Sequence, residues 1–508
     1  MKQLIKKYPI FFLFLASFLL AENFSFLVSY FSLAWLNNIC FALIVIATLC
    51  FTLKDIKNGL LILLAELFIG SKGYLFFLTL TNGEIVGGLN LPIISLRIAL
   101  FLIIIGVFLL RLAQRKVKFR FNSLSLLITY LLLIISILFA MWRGWQQGNL
   151  MSNVFFDANG WWYFILLIIF FSLIDSWLFI KRIGQLFVAA LVWLSIKTIL
   201  IFLVFIGQNN YLMFRVYQWL AFTQIGEVTH VIGNFWRVFI QSQIYLSLGW
   251  LILASSYIFL KIKKIRRSQL FLLLLTGLPI IISFSRSFWL GLLVGLLCLF
   301  ISLLMHFSYS AKKVVGLLFI LCLLVLVDFG MIYSTVQING GLYFGGIFKQ
   351  RLINLTEPAV SSRTNQLMPL LKEINQHRLL GGGFGSTITY YSDDPYILDK
   401  TGSRLHTTYT SEWGWLDICL KLGLIGVCIY VLFIIHLWRN GWKVINNIRQ
   451  SEQQGLILGL LIGLIGLVVI NITSPYLNHP LGIGYLMLVG AILNYFLTNN
   501  LLVGKKLK

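Results

Sequence analysis

The stretch that decides the fold is LPIISLRIALFLIIIGVFLL at positions 91–110, in which Arg97 is the only ionisable residue. Twenty residues in a helix span about 30 Å, which is the thickness of the hydrocarbon core of a bilayer. Similar runs recur along the whole chain, which has 508 residues, 59% of them hydrophobic and 11% charged. A soluble domain has about 25% charged residues. The composition therefore excludes a soluble globular protein.

We predict an all-α polytopic transmembrane bundle of about fourteen spans, within a range of twelve to fourteen. The apolar runs cover approximately residues 9–21, 32–53, 60–80, 91–110, 122–141, 161–180, 184–206, 238–260, 268–283, 287–306, 314–333, 413–437, 455–473 and 481–499. Most of the 40 Lys and Arg residues fall in alternate loops. Because basic residues favour the cytoplasmic side, we expect both termini in the cytoplasm. The net charge of +24 then reflects membrane topology, and no nucleic-acid partner is expected.

The runs divide the chain into three regions. We predict an N-terminal bundle of about eleven spans at 1–333, an extracytoplasmic loop at 334–412 and about three C-terminal spans at 413–508. A loop of this length is usually either functional or disordered. This one contains a helix-capping pair at 361–362 and a glycine stop at 381–383. We therefore expect an ordered lid with short helices.

Ionisable residues inside apolar runs are expected to have a structural or functional role, because each costs free energy in a bilayer. Glu66 and Lys72 predict an internal ion pair or a helix-packing site around small residues. Arg97 reads as a structural anchor or, alternatively, as a substrate-binding residue. Arg286 lies between two spans with almost no loop, so we expect its guanidinium at the outer membrane surface. A guanidinium suits a lipid-linked phosphate, and contact with lipid headgroups is the alternative.

Further arginines lie in the outer segments. Arg215 and Arg237 belong to the segment before the eighth span, and Arg363 lies in SSRTNQL within the long loop. Several arginines that converge with Arg286 on one face would form an anion-binding pocket. We therefore predict such a pocket beneath the lid.

The stretch RLHTTYTSEWGWLD at 404–417 offers a general base close to aromatic side chains. His406 and Glu412 are the two candidates, and a plain loop histidine is the alternative for His406. The tryptophans can also form an ordinary interfacial belt. The acidic residues of the same loop lack a clear coordinating frame, so no metal site is expected.

These segments resemble the O-antigen ligase and O-antigen polymerase superfamily of bacterial envelope proteins, which also includes some protein O-oligosaccharyltransferases. The resemblance rests on SRSFWLG at 285–291, on SSRTNQLMPLLKEINQHRLLGGGFGS at 361–386, on LKLGLIG at 420–426, and on AELFIGSKG with ISLR earlier in the chain. It implies a metal-independent inverting glycosyltransferase of GT-C type. Such enzymes transfer a glycan from undecaprenyl diphosphate to an acceptor hydroxyl at the outer leaflet.

The resemblance also implies roles for individual residues. Arg237 and Arg286 would hold the diphosphate, and a loop residue would take the acceptor proton. In the ligases the catalytic His typically lies eleven positions before the Gly of a GLxG element. Eleven positions before Gly423 stands Glu412, and His406 lies six residues further upstream. His406 and Glu412 therefore both remain candidates for the catalytic base.

The resemblance implies a multi-pass protein of the bacterial inner membrane with an extracytoplasmic active site and no cofactor other than the lipid-linked donor. Its expected partners are the lipid-linked oligosaccharide, membrane lipids, a chain-length regulator and a flippase. The chain length and the displaced histidine favour a repeat-unit polymerase over a ligase or a protein O-oligosaccharyltransferase. Two other classes remain as alternatives, a transporter of lipid-linked sugars and a structural scaffold.

Overall fold

A computed structural model describes residues 7–79, 94–119, 121–232, 235–260, 263–307, 309–338, 358–393, 397–398 and 402–505. These residues form 17 α-helices. The helices are α1 Pro9–Tyr30, α2 Ala34–Lys54, α3 Ile56–Ile69, α4 Leu96–Ala113, α5 Leu124–Gln146, α6 Met151–Asn159, α7 Leu166–Leu173, α8 Trp177–Ile206, α9 Asn210–Thr223, α10 Ile244–Phe259, α11 Lys263–Ile282, α12 Arg286–Met305, α13 Ala311–Ile338, α14 Pro358–Gln376, α15 Gly414–Asn447, α16 Ser451–Ile470 and α17 Pro480–Lys505.

The strands in the described residues are short and pair only with their neighbours. They are β1 Phe77–Leu78, β2 Ile94–Ser95, β3 Gly226–Ile232, β4 Phe235–Ile240, β5 Ile388–Tyr391 and β6 Leu405–Thr408. Each consecutive pair forms an antiparallel two-stranded sheet. Two 3₁₀ helices, Trp161–Ile165 and Gln241–Gln243, precede α7 and α10. The predicted all-α bundle is confirmed.

Within the described residues, 11 helices are long and apolar enough to cross a membrane, and the number is 12 if one bent pair counts as a span. The count of 11 lies below the predicted range of twelve to fourteen, and the count of 12 lies at its lower limit. The run at 60–80 accounts for part of the difference, because α3 has only 14 residues and ends at Gly70. The run at 161–180 is also interrupted. There, the helices Met151–Asn159 and Trp161–Leu173 meet at a bend of 43°.

The core of the bundle lies around α8, α10, α16 and α17. In the apolar windows of α10 and α17, 83% of the residues are buried, compared with 17% in α1 and 22% in α13. Glycines allow α10 and α16 to approach closely, since a Cβ at Gly459 would lie 2.8 Å from the Cα of Ile252. The outer helices therefore present their apolar side chains to lipid, while the central helices pack against protein.

Helix α15 is broken in its apolar first half at Gly423, whose φ of 70° and ψ of 179° are open almost only to glycine. A break of this kind leaves backbone groups without helical partners, which is costly away from water. The turn at 381–383 supplies the missing donors. The amide of Gly382 donates to the carbonyl of Leu420 at 2.7 Å, and that of Gly383 donates to Lys421 at 3.2 Å.

The same segment also supplies acceptors for the second half of α15. The amide of Leu424 donates to the carbonyl of Arg378 at 3.0 Å, and that of Ile425 donates to Leu379 at 3.2 Å. Residues 378–383 therefore complete the backbone of a membrane helix that lies about 40 positions further along the chain. The predicted glycine stop has this second role.

We call the segment 358–412 the flap and describe its residues 358–393, 397–398 and 402–412. It consists of α14 followed by the β5–β6 hairpin. Leu370 and Ile374 on α14 pack against Ile388 and Tyr390 of β5 and against Leu420 of α15. The flap therefore has a small hydrophobic core of its own that is continuous with α15.

Candidate active site

The β3–β4 hairpin holds Arg237 over the turn between α11 and α12. Arg237 pairs with Thr229 in the hairpin register. Its Nε donates to the carbonyl of Ser283 at 2.9 Å, and its guanidinium lies 4.8 Å from the ring centroid of Phe239. The guanidinium is therefore fixed against the end of α11.

Arg286 begins α12 three residues after Ser283. The intervening Phe284 has a positive φ of 50° and packs its buried ring against Phe235 of β4 at 4.7 Å. This sharp turn brings the first residue of α12 to the same end of the bundle as Arg237. The sequence SFSRS thus supplies both an acceptor for one arginine and the second arginine itself.

The flap contributes a third guanidinium from Arg363 on α14. Arg363 forms an ion pair with Glu412, just before α15. It also interacts electrostatically with Arg237 and with Arg286. We call Arg237, Arg286, Arg363 and Glu412 the arginine cluster. Arg363 therefore lies close enough to Arg237 and to Arg286 to influence both, and the use of these guanidinium groups as an anion-binding site stays a prediction.

Arg237 lies among charges of both signs. Glu227 and Glu412 are the carboxylates that interact with Arg237. Burial lowers the pKa of Arg237, Glu227 raises it, and the positive charge of Arg363 lowers it again, so that the net direction is downward. The guanidinium stays protonated, and the lowered pKa reflects mainly its burial.

Glu412 is held from two sides. Its backbone amide donates to Gln366 Oε1 of α14 at 3.2 Å, and the preceding Ser411 donates its amide to Asp417 Oδ1 of α15 at 3.1 Å. The indole of Trp413 donates to the carbonyl of Arg363 at 2.9 Å. The loop that carries Glu412 is therefore attached both to the flap helix and to the membrane helix.

His406 lies on β6, opposite Tyr390 of β5. Its half-exposed imidazole contacts the Tyr390 ring edge-on at 5.7 Å. The recorded contacts thus place Glu412 in the arginine cluster and His406 on the hairpin. The sequence could not separate these two candidates, because their difference depends on how the hairpin folds back on α14.

Arg97 lies elsewhere, between α3 and α4. Its Nε and one terminal nitrogen donate to the two carboxylate oxygens of Glu66 at 2.9 and 3.0 Å. Both side chains are at most 5% exposed. The expected ion pair between Glu66 and Lys72 is wrong, since the guanidinium fork matches both carboxylate oxygens and Lys72 is exposed. Gly73 packs directly against Arg97, as expected for a packing site around small residues.

Arg215 is also separate from the cluster. It lies on α9 between the rings of Tyr30 and Tyr211, at 4.7 and 5.3 Å from their centroids. It donates to the carbonyl of Tyr30 at 3.4 Å and to Gln218 at 3.2 Å. These contacts connect α9 with α1.

The loop at 471–479, between α16 and α17, was missed by the sequence analysis. Ser474 shares a hydrogen bond of 2.9 Å with Ser287 of α12. Tyr476 interacts electrostatically with Arg237 and donates to the carbonyl of Gln241 at 3.1 Å. The available signal was the dense polar stretch TSPYLNHP between two apolar runs. This loop therefore lies beside the arginine cluster.

His479 in the same loop lies near two positive charges. Burial, together with the positive charges of Arg97 and Lys72, lowers its pKa to about 3. Its Nδ1 accepts from the amide of Leu481 at 3.3 Å, so the neutral ring carries its proton on Nε2. His479 is therefore an uncharged hydrogen-bond donor at physiological pH.

Metal ligands were not expected, and the acidic residues Asp394 and Asp399 lie outside the described residues. Where the structure describes the chain, no group of three or more His, Cys, Asp or Glu side chains is arranged to hold a metal ion. Asp393 instead accepts a hydrogen bond from Ser361 of α14.

The fold and the arginine cluster define a multi-pass helical membrane protein with a cationic site at the end of the bundle covered by the flap. Residues 270–431 match the model of the O-antigen ligase family. The match confirms the resemblance of this segment to the O-antigen ligase and polymerase superfamily. The matched residues include Arg286, Arg363 and Glu412 and exclude Arg237. No curated protein matches the chain. The family supports glycosyl transfer of the O-antigen ligase or polymerase type.

Proposed function

We propose that the protein is a repeat-unit polymerase that transfers a glycan from undecaprenyl diphosphate to an acceptor hydroxyl at the outer leaflet of the bacterial inner membrane, with inversion at the anomeric carbon. The observation that carries the proposal is the approach of Arg363 and Glu412 of the flap to Arg237 and Arg286 of the bundle. The family model at 270–431 supports the reaction type. A single polytopic chain of GT-C type then provides both membrane anchoring and catalysis.

The three guanidinium groups bind the diphosphate of the donor. Their planar forks match phosphate oxygens and keep their charge at every relevant pH. As the bond between the anomeric carbon and the diphosphate oxygen breaks, negative charge grows on the leaving group. Fixed positive charges at that point stabilise the transition state. Arg237 and Arg286 are attached to the bundle, and Arg363 arrives with the flap.

Glu412 takes the proton of the acceptor hydroxyl. The acceptor oxygen attacks the anomeric carbon from the face opposite the diphosphate, so the new glycosidic bond has inverted configuration. In the structure Glu412 pairs with Arg363. A bound diphosphate competes for Arg363, which leaves the carboxylate free to act as base. His406 on the hairpin is the second candidate for this role.

The proposal is tested with purified protein in detergent and a defined lipid-linked repeat unit. A lengthened lipid-linked chain is expected for the polymerase. Transfer to a lipid core or to a protein would instead identify a ligase or an oligosaccharyltransferase. No product in any of these assays, with protein that retains its thermal transition, would favour a transporter or a scaffold. Activity is expected to persist in a chelator, and its loss there would contradict a metal-independent mechanism.

The location of the site is tested by labelling cysteines in intact cells with a membrane-impermeant reagent. Thr407→Cys on the exposed hairpin is expected to react, since we propose an extracytoplasmic flap. Lys443→Cys near the other end of α15 is the matched control and is expected to react only after the membrane is opened. The reverse pattern would overturn the proposed side. A chain-length regulator and a flippase are the proposed protein partners.

A further inference from the structure

The buried amine of Lys421 lies two residues before the break in α15. Its Nζ is 2.6 Å from Asp157 Oδ1 of α6 and 2.7 Å from Asp417 Oδ2, one turn earlier on α15. The three side chains are at most 5% exposed. One ammonium group and two carboxylates leave one unit of negative charge, which a buried site must stabilise with further hydrogen-bond donors.

The further donors come from the flap and from the loop below it. The amide of Gly385 donates to Asp157 Oδ2 at 2.9 Å. The amide of Ser411 donates to Asp417 Oδ1 at 3.1 Å, and Asn478 donates to Asp417 Oδ2 at 2.6 Å. Each of the four carboxylate oxygens therefore has a partner.

The network reaches two points at which the described part of the flap joins the bundle. One is the turn that contains Gly385, and the other is Ser411, which immediately precedes Glu412. The turn is already attached to α15 by the main-chain bonds of Gly382 and Gly383, so it does not depend on the Lys421 side chain. The loop before Glu412 depends on Asp417, whose carboxylate is oriented by Lys421.

We propose that Lys421 is a positioning residue for glycosyl transfer. Through Asp417 and Ser411 it holds Glu412 against the arginine cluster, and it does not contact the substrate itself. The role in catalysis rests on the proposed function, in which Glu412 accepts the acceptor proton. A misplacement of about 1 Å in a catalytic group lowers the rate by about 100-fold, so a loosened Glu412 loop has a measurable effect.

The main test uses the double variant Lys421→Met with Asp157→Asn. It removes one positive and one negative charge, so the net charge of the buried network stays the same. Lys443→Met is the matched control, because Lys443 lies exposed on the same helix. Membrane accumulation and the thermal midpoint in detergent are measured first, and the midpoint is expected to fall because Asp417 stays buried without a cationic partner.

The position of residue 412 relative to residue 363 is then measured without any assay of activity. Arg363→Cys and Glu412→Cys are combined in the parent, the double variant and the control, and the disulfide between the two peptides is quantified by mass spectrometry. We expect efficient cross-linking in the parent and in Lys443→Met, and a several-fold lower yield in the double variant. An unchanged yield in a double variant that is folded at the assay temperature would overturn the proposal.

Activity is measured separately in proteins without the added cysteines. We expect the double variant to lower kcat by about ten- to 100-fold with little change in KM for the donor, since all three arginines remain. Equal losses in kcat and donor affinity would point to a damaged diphosphate site and would also overturn the proposal. Lower cross-linking in a chain that shows no glycosyl transfer would support the positioning role and refute the proposed function.

A second variant covers the case in which the double variant fails to accumulate. Asp417→Asn leaves Lys421 paired one to one with Asp157 and retains an oxygen that can accept from Ser411. It weakens only the charged link between Lys421 and the Glu412 loop. Reduced cross-linking in folded Asp417→Asn supports the proposal, and normal cross-linking refutes it.

Discussion

The protein contains arginines in two kinds of surroundings, and these differ in the partners of the guanidinium group. Arg97 has both oxygens of Glu66 to itself in a closed pair inside the bundle. In the arginine cluster, three guanidinium groups interact with two described carboxylates at the edge of the bundle. The residue type is the same, and the surroundings are different. An arginine bonded to both oxygens of one carboxylate stabilises the fold, whereas several guanidinium groups gathered at the edge of the bundle are suited to an external anion.

The largest effect is expected in the cluster. Arg286→Ala and Arg237→Ala each remove a charge that stabilises the leaving group, so we expect transfer to fall by about 100-fold or more. Polysaccharide ladders and in vitro product formation measure the loss, and membrane abundance is expected to stay normal. Arg439→Ala, an exposed arginine on α15, is the control. Normal polysaccharide ladders in both variants would show that the arginines of the cluster are not needed for transfer.

The closed pair is expected to show the opposite behaviour. Arg97→Met leaves Glu66 buried and unpaired, which costs about 3 to 5 kcal/mol of stability. Membrane abundance and the thermal midpoint should therefore fall, while turnover per folded molecule stays near the parent value. Adding Glu66→Gln to Arg97→Met removes the unpaired carboxylate charge and should restore much of the lost thermal midpoint. Loss of turnover without loss of stability would instead assign Arg97 to the substrate site.

The carboxylate of the cluster can be compared with the hairpin histidine. Glu412→Gln removes the proposed base but keeps its shape, so we expect kcat to fall by about 100-fold, within the range of general base catalysis. His406→Gln should lower kcat much less, because its recorded contact is with Tyr390. Single-turnover rates with the defined donor measure both. A larger loss in His406→Gln would transfer the role to the histidine.

A smaller effect concerns pH and the charges near Arg97. His479 has a pKa of about 3 in the folded chain and an ordinary value of 6.5 when unfolded. Between these values the unfolded state binds more protons, so stability falls as the pH drops below about 6.5. His479→Gln should therefore lose a few degrees less of its thermal midpoint than the parent between pH 7.5 and pH 5. Parallel midpoint curves would show that His479 is not held neutral.

Much of the fold follows from the sequence, because a helix that crosses lipid needs a long apolar run and the chain shows such runs openly. The interruptions were harder to find. Helix α3 ends at Gly70 and α15 breaks at Gly423 where other segments satisfy the backbone. These partners lie far away along the chain, so no local pattern marks them.

The candidate site follows the same rule. Arg286 was identifiable because it begins a span, and the apolar sequence around it leaves few alternatives. The partner of Glu66 was not identifiable, since Lys72 is closer in sequence than Arg97 and only the packing of α3 against α4 selects between them. The network of Lys421 with Asp157 was missed for the same reason.

The hydrogen bonds that residues 378–383 form with the broken helix α15 have a consequence for biosynthesis. Residues 378–383 leave the ribosome before residues 420–425, so the segment that completes the helix is made before the helix that needs it. By the proposed topology, that segment is already across the membrane when α15 enters the translocon. The two halves of α15 can then form their hydrogen bonds with residues 378–383 as they enter the membrane. The broken helix is therefore not exposed to lipid with unsatisfied backbone amides and carbonyls.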